Sequence, residues 1–187
     1  MLQKERGSIS DGISYTQVKE EYGTYYLDNI NIIIDADICI STLNILISRF
    51  LSEKKIGVLF SLIFICKEHL SDSGFDDFAE YSALKFPGII LKSGLNKQSS
   101  MQLVCAPDTL VEHKISNNTV RVSTLNVAEI SYTYYNAIIP SKLNAGRGKQ
   151  TYECFSKLSR ELVQQNSSLD KINRTWLYLD NILDWYD

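Results

Sequence analysis

The stretch from Tyr25 to Cys66, YYLDNINIIIDADICISTLNILISRFLSEKKIGVLFSLIFIC, decides the fold class. Its first part, Tyr25–Asp37, is dense in β-branched and aromatic residues and predicts a strand. From Ile38 to Glu53 the residues Leu43, Leu46, Ile47, Phe50 and Leu51 recur at spacings of three and four. That period predicts a helix with one buried face. Asp37 or Ser41 suits the start of this helix as a cap. Ile56–Cys66 then runs apolar almost without a break. It is far shorter than the roughly 20 residues a membrane span needs, so it reads as a strand buried on both faces. Strand, helix and strand in this order mean a sheet with a helix laid upon it.

On the N-terminal side, residues 1–22 are polar with mixed charge and read as a loose arm. On the C-terminal side, Ser73 is placed to cap a second helix, with Asp76 and Asp77 in its first turn and Pro87 closing it. The middle third predicts short strands at Ile89–Lys92, Met101–Ala106, Val111–Ile115 and Val120–Thr124, with Asn117-Asn118 as a hairpin turn. Val127–Ile139 reads as one longer strand closed by Pro140, followed by a flexible SKLNAGRG connection. Gln150–Gln165 predicts a helix with Tyr152, Phe155, Leu158, Leu162 and Val163 facing inward. Asn166-Ser-Ser breaks it. Ile172–Leu179 reads as a strand, and Asp180 as the start of a last helix. The expected core comprises Leu43, Ile47, Phe50, Leu59, Leu62, Phe64, Ile130, Phe155, Leu158, Leu162, Leu177 and Leu179.

The whole chain has 187 residues, of which 44% are apolar and 22% charged, enough to bury a core and too balanced for disorder. Nineteen basic residues against 22 acidic ones give a net charge of −3. No basic surplus exists to grip a phosphate backbone, so no nucleic-acid partner is expected. Cys39, Cys66, Cys105 and Cys154 are widely spaced, with no C-x-x-C and no histidine at ligand spacing, so no metal site is expected. The polar start lacks the apolar run of a signal peptide. The expectation is therefore a cytoplasmic protein with free thiols and no membrane attachment.

LISRFL at Leu46–Leu51 parallels KLSRELV at Lys157–Val163. Each precedes an apolar strand, FSLIFI at Phe60–Ile65 and RTWLYL at Arg174–Leu179, and each strand precedes a helix carrying FDDF or ILDW. Two α/β units, each with a sheet face to cover, follow from this order.

Candidate chemistry is sparse. His69 and His113 are the only histidines, and neither has an obvious nucleophile beside it in sequence. Tyr132, Tyr134 and Tyr135 suit either an aromatic ligand wall or the packing of a sheet. Asp76, Asp77 and Glu80, like Asp180, Asp184 and Asp187, fit solvated first turns of helices. Arg174 and Thr175 suit a site or one face of a strand. Gly146-Arg147-Gly148-Lys149 lacks the spacing of a phosphate loop and reads as a flexible loop.

The last third carries a family resemblance. VAEISYTYYNAIIP at Val127–Pro140, the helix at Gln150–Gln165 and RTWLYLDNILDWYD at Arg174–Asp187 stand in one order. Together they comprise a strand ending in an x-x-Ile-Pro corner, a loop, a helix, an Arg-Thr-x-x-aromatic strand and an Asp-led turn into a helix. In this the chain resembles the Rid family, also called YjgF-type or L-PSP endoribonuclease-like, in its tandem, chorismatase-like form. The resemblance implies an α+β fold: a Rid/YjgF-like (chorismate-mutase-like) mixed sheet with helices packed on one face, as a degenerate tandem repeat. The implied organisation is a polar arm at 1–22, a degenerate unit at 23–124 and an incomplete unit at 125–187.

The resemblance also implies a deaminase or hydrolase of enamines, imines or other small carboxylated metabolites. It implies no cofactor, and a homo-oligomer, by analogy a trimer, or a partner subunit. The family's carboxylate-binding arginine would lie on a strand beyond Asp187, so no residue here inherits that role. Where the family has Ser-Gly before its corner, this chain has Asn136-Ala137. Tyr134, Asn136 and Arg174 are the candidate ligand-binding residues. A non-catalytic binding or scaffold module, and the N-terminal part of a chorismatase-like hydrolase, are the alternatives.

Overall fold

A computed structural model describes residues 2–35, 40–66, 88–93, 98–116, 120–136, 138–142 and 145–175. The chain divides into two compact units, Met1–Ile138 and Ile139–Asp187. The fold is α+β.

The first unit holds β1 (Leu2–Ser10), β2 (Ile13–Tyr22), β3 (Tyr25–Ile34), α1 (Ile40–Lys54), β4 (Ile56–Cys66), β5 (Gly88–Ser93) and β6 (Ser99–Pro107). These strands form a six-stranded mixed sheet in the order β1-β2-β3-β6-β4-β5. The β4–β5 pair is parallel and every other pair antiparallel. Because β6 lies antiparallel to both β3 and β4, those two run parallel to each other. The helix α1 makes the connection that parallel strands require. The strand, helix and strand expected of Tyr25–Cys66 are thus present, each within a few residues of its expected bounds.

Side chains alternate across the sheet. On one face Ile13, Tyr15, Ile30, Ile32, Ile34, Val58, Ile63, Met101, Leu103 and Cys105 meet Leu43, Ile47, Phe50 and Leu51 of α1. The Phe50 and Tyr15 rings touch, their centroids 4.7 Å apart. Lys55, at φ 55, ends α1 in the left-handed region, where glycine is usual.

The opposite face is covered in part by a second sheet. It comprises β7 (Val111–Ser116), β8 (Val120–Val127) and β9 (Ile130–Asn136), antiparallel in that order. Leu59, Ala106 and Leu125 are buried there among Tyr25, Leu27, Val104, Leu110, Val111, Val127 and Tyr134. Gly57 permits this approach: a Cβ on it would lie 2.8 Å from the Val111 side chain. β4 is therefore covered on both faces, as its unbroken apolar run predicts.

Several expectations are corrected. The polar stretch expected as a loose arm at 1–22 is instead, over the described residues 2–22, the hairpin β1–β2, paired from Leu2 with Glu20 to Ser8 with Ser14. Asp11-Gly12 makes the turn, with Gly12 at φ 72, and Asp-Gly is a strong hairpin signal. Val127–Ile139 is not one strand, because Val127 pairs with Ile130 across a tight turn at Ala128-Glu129, with Ala128 at φ 51. That turn leaves Ile130 57% exposed rather than in the core. The helix expected at 73–86, the Asn117-Asn118 turn and residues 176–187, with Leu177 and Leu179, lie outside the described residues.

In the second unit, α2 (Arg147–Gln164) begins three residues earlier than Gln150, so Arg147-Gly148-Lys149 forms its first turn rather than a flexible loop. Leu158 and Leu162 are buried, but Tyr152 (77% exposed), Phe155 (37%) and Val163 (67%) are not. The buried seam is the i, i+4 pair Leu158/Leu162 with Glu161 beside it, and Val163 stands about 100° round the helix from Leu162. Asn166, at φ 53, closes α2, where the Ser167 amide donates to Leu162 O (2.8 Å) and the Asn166 amide to Val163 O (3.0 Å). This is a Schellman termination, with asparagine where glycine is usual. Ile172–Thr175 follow a short 3-10 turn at Leu169–Lys171 and are not in a strand. No helix among the described residues is long and apolar enough to cross a membrane.

Candidate functional site

Tyr132, Tyr134 and Asn136 alternate with outward residues along β9 and so share its inner face, toward the six-stranded sheet. Their places are set by the hairpin register: Tyr132 opposite Leu125, Tyr134 opposite Ser123, Asn136 opposite Arg121. The buried Leu125 fixes which face turns inward, since a one-residue slip would expose it.

Tyr134 is half-buried in the apolar cluster around Leu59 and Leu125. Burial, and then the neighbouring Tyr25 and Tyr132, push its phenol above the ordinary tyrosine range. Burial does the same to Tyr25. Tyr25 stacks on Tyr22, their rings 5.8 Å apart, and the Tyr22 hydroxyl donates to the Glu20 carboxylate at 2.6 Å. These phenols are neutral donors at neutral pH, and none is tuned to act as a base.

Asn136 is buried, at 2% exposure. Its Nδ2 donates to Leu59 O at 3.3 Å and to Tyr134 O at 3.4 Å. Leu59 sits where the register of β4 shifts against β6, between Val58 and Phe60. A bulge leaves a backbone group out of the ladder, and a buried carbonyl without a donor is costly. Asn136 supplies that donor from the second sheet. Asn136, expected from the sequence to contact a ligand, therefore bridges the two sheets.

Arg174 is exposed and belongs to the second unit, while Tyr134 and Asn136 belong to the first. Within the first unit the structure joins Tyr134 and Asn136 on one strand face. It also joins a pair that the linear sequence does not reveal. His113 and Ser123 are cross-strand partners of β7 and β8, with Nδ1 and Oγ 3.3 Å apart. Ser123 is fully buried, so its hydroxyl cannot serve as a nucleophile toward a solvent-borne substrate. His113 is exposed as a residue, but desolvation of its ring lowers its pKa. Only the strand register brings these two together, and that register is invisible without the turn positions.

His69, Asp76, Asp77, Glu80, Asp180, Asp184 and Asp187 lie outside the described residues. Thr175 is exposed beside Arg174. Among the described residues, no three or more histidine, cysteine, aspartate or glutamate side chains gather in a geometry that could hold a metal ion. Cys105 is buried against the sheet, where desolvation and then the nearby Asp28 push its thiol far up, away from nucleophilic character. The sequence matches no protein-family model and no curated protein.

Proposed function

We propose that this chain is a Rid-like protein of degenerate tandem form that serves as a non-catalytic binding or scaffold module. The observation that carries this reading is the commitment of Asn136. Its side chain is buried and its Nδ2 donates to the Leu59 carbonyl at the bulge of β4, which favours a structural role over the orientation of a ligand. Tyr134 beside it packs in an apolar cluster. A mixed sheet with a β3–α1–β4 crossover is compatible with the Rid-like order of elements. In this reading the module works as a homo-oligomer or beside a partner subunit.

A second reading is a deaminase or hydrolase of small carboxylated imines, or the N-terminal part of a chorismatase-like hydrolase. Its support is the place of Arg174, a residue on the surface of the second unit whose side-chain type suits a carboxylate. One experiment separates the two readings. The purified protein is incubated with the imine generated enzymatically from serine, and keto-acid release is followed. Release at the buffer rate is the expected result. A rate that rises in proportion to protein and falls with Arg174→Ala establishes the enzyme reading instead.

A further inference from the structure

The six-stranded sheet ends in β1, which pairs only with β2 among the described residues. From Leu2 to Ser8 the pairing is regular, residue for residue, and the register shifts only between Ser8 and Ser10. No proline interrupts the strand. Among the described residues its outer edge thus offers a row of backbone donors and acceptors along an extended strand.

The charges on this edge are one-sided. Glu5 faces the α1 side of the sheet, where its Oε1 accepts from Lys54 Nζ at 2.7 Å and from the Tyr15 hydroxyl at 2.5 Å. Lys54 and Tyr15 hold its pKa below the usual carboxylate range. Lys4 and Arg6 alternate with Glu5 and so project from the other face. Their cross-strand partners are Val18 and Thr16, neither of them acidic. Neither cation has an ion-pair or hydrogen-bond partner among the described residues, and both are exposed. The strand's one carboxylate is therefore neutralised, while its two cations, two residues apart on one face, are not.

A second copy of the chain is a poor occupant. Antiparallel pairing of β1 with itself about Glu5 would set Lys4 opposite Arg6, and like charges directly opposite are destabilising. An acidic strand is the complement. We propose that β1 is a docking edge for an extended acidic peptide segment of a partner protein. The segment adds as a seventh strand and carries carboxylates at alternate positions, opposite Lys4 and Arg6. Main-chain bonds to the open edge supply the common part of the affinity, and the two cross-strand ion pairs select the partner.

The test uses the full chain and three blocked, fluorescein-labelled seven-residue peptides. One alternates glutamate with threonine, one alternates lysine with threonine, and one is the acidic peptide with a central proline. Anisotropy is read at low and at physiological salt. The acidic peptide is expected to bind at least about tenfold tighter than the other two, more weakly at higher salt, and to slow amide exchange along Leu2–Ser8. The double variant Lys4→Glu/Arg6→Glu is expected to prefer the lysine peptide. Equal binding of the acidic and basic peptides, or no binding, overturns the proposal. Undiminished binding of the proline peptide overturns it too, because charge alone would then explain the affinity. The variants alter exposed side chains, and far-UV circular dichroism verifies that the sheet is retained.

Discussion

Replacing Asn136 by alanine tests whether this side chain is a structural bridge. The substitution removes the donor to Leu59 O and leaves a small void at a site of 2% exposure. Removing the donor of a hydrogen bond to a buried carbonyl costs about 1–3 kcal/mol. A loss of about 2 kcal/mol is expected, which for a chain of this length lowers Tm by roughly 4–8 °C. Urea unfolding followed by far-UV circular dichroism gives the first figure, and thermal unfolding the second. Asn136→Asp is expected to be worse than alanine, because it turns a buried carboxylate toward the same carbonyl. Asn136→Leu restores volume without the donor and should fall between wild type and alanine. An alanine variant within about 0.5 kcal/mol of wild type would refute the reasoning, since it would mean that the bulge carbonyl does not depend on this amide.

Three further outcomes follow from other parts of the structure. Ala128 occupies the left-handed region at the β8–β9 turn, so Ala128→Gly should stabilise by about 1 kcal/mol, read as a higher urea midpoint. Glu153 accepts from the Ser141 amide at 2.8 Å and lies 3.2 Å from Lys157 Nζ. Ser141, through its hydroxyl and then its amide, pulls the Glu153 carboxyl down to about 2, with Lys157 adding to the effect. A lowered folded-state pKa means that this tie is intact above the ordinary glutamate range and is lost as pH falls through about 2. A carbon-detected NMR titration should find the Glu153 midpoint well below the ordinary glutamate value, and a normal midpoint would contradict the assignment. Cys105 should resist thiol reagents in the folded protein and react only on unfolding, as peptide mapping by mass spectrometry would show.

Much of the first unit's fold was legible because its two strongest signals are periodic. Leu43, Ile47, Phe50 and Leu51 fix α1 by their spacing, and Ile56–Cys66 shows its two-sided burial by having no polar face. The hairpin at 2–22 was hidden because β1 is an exposed edge strand of mostly polar residues, with no alternation to betray it. Its one clear mark was the Asp11-Gly12 pair. The β8–β9 turn was hidden for another reason, since Ala128-Glu129 is not a turn dipeptide and the apolar flanks read straight through it. In α2 the sequence holds more apolar residues than the buried seam uses, and composition alone does not separate Leu158 and Leu162 from Tyr152 and Val163. The candidate site was legible only as a list. That Asn136 faces a bulge carbonyl, or that His113 meets Ser123, depends on strand register, which is a property of the turns and not of either residue.

On the proposed scaffold reading, the inner face of β9 holds two sheets together and takes no small carboxylate. The most direct measurement is an NMR titration of the labelled protein with 2-oxobutyrate, read at the backbone and side-chain amides of Tyr134 and Asn136. These signals are expected to stay in place up to millimolar ligand. Saturable shifts of the Asn136 side-chain amide, abolished by Asn136→Ala under conditions where the variant remains folded, would contradict that reading.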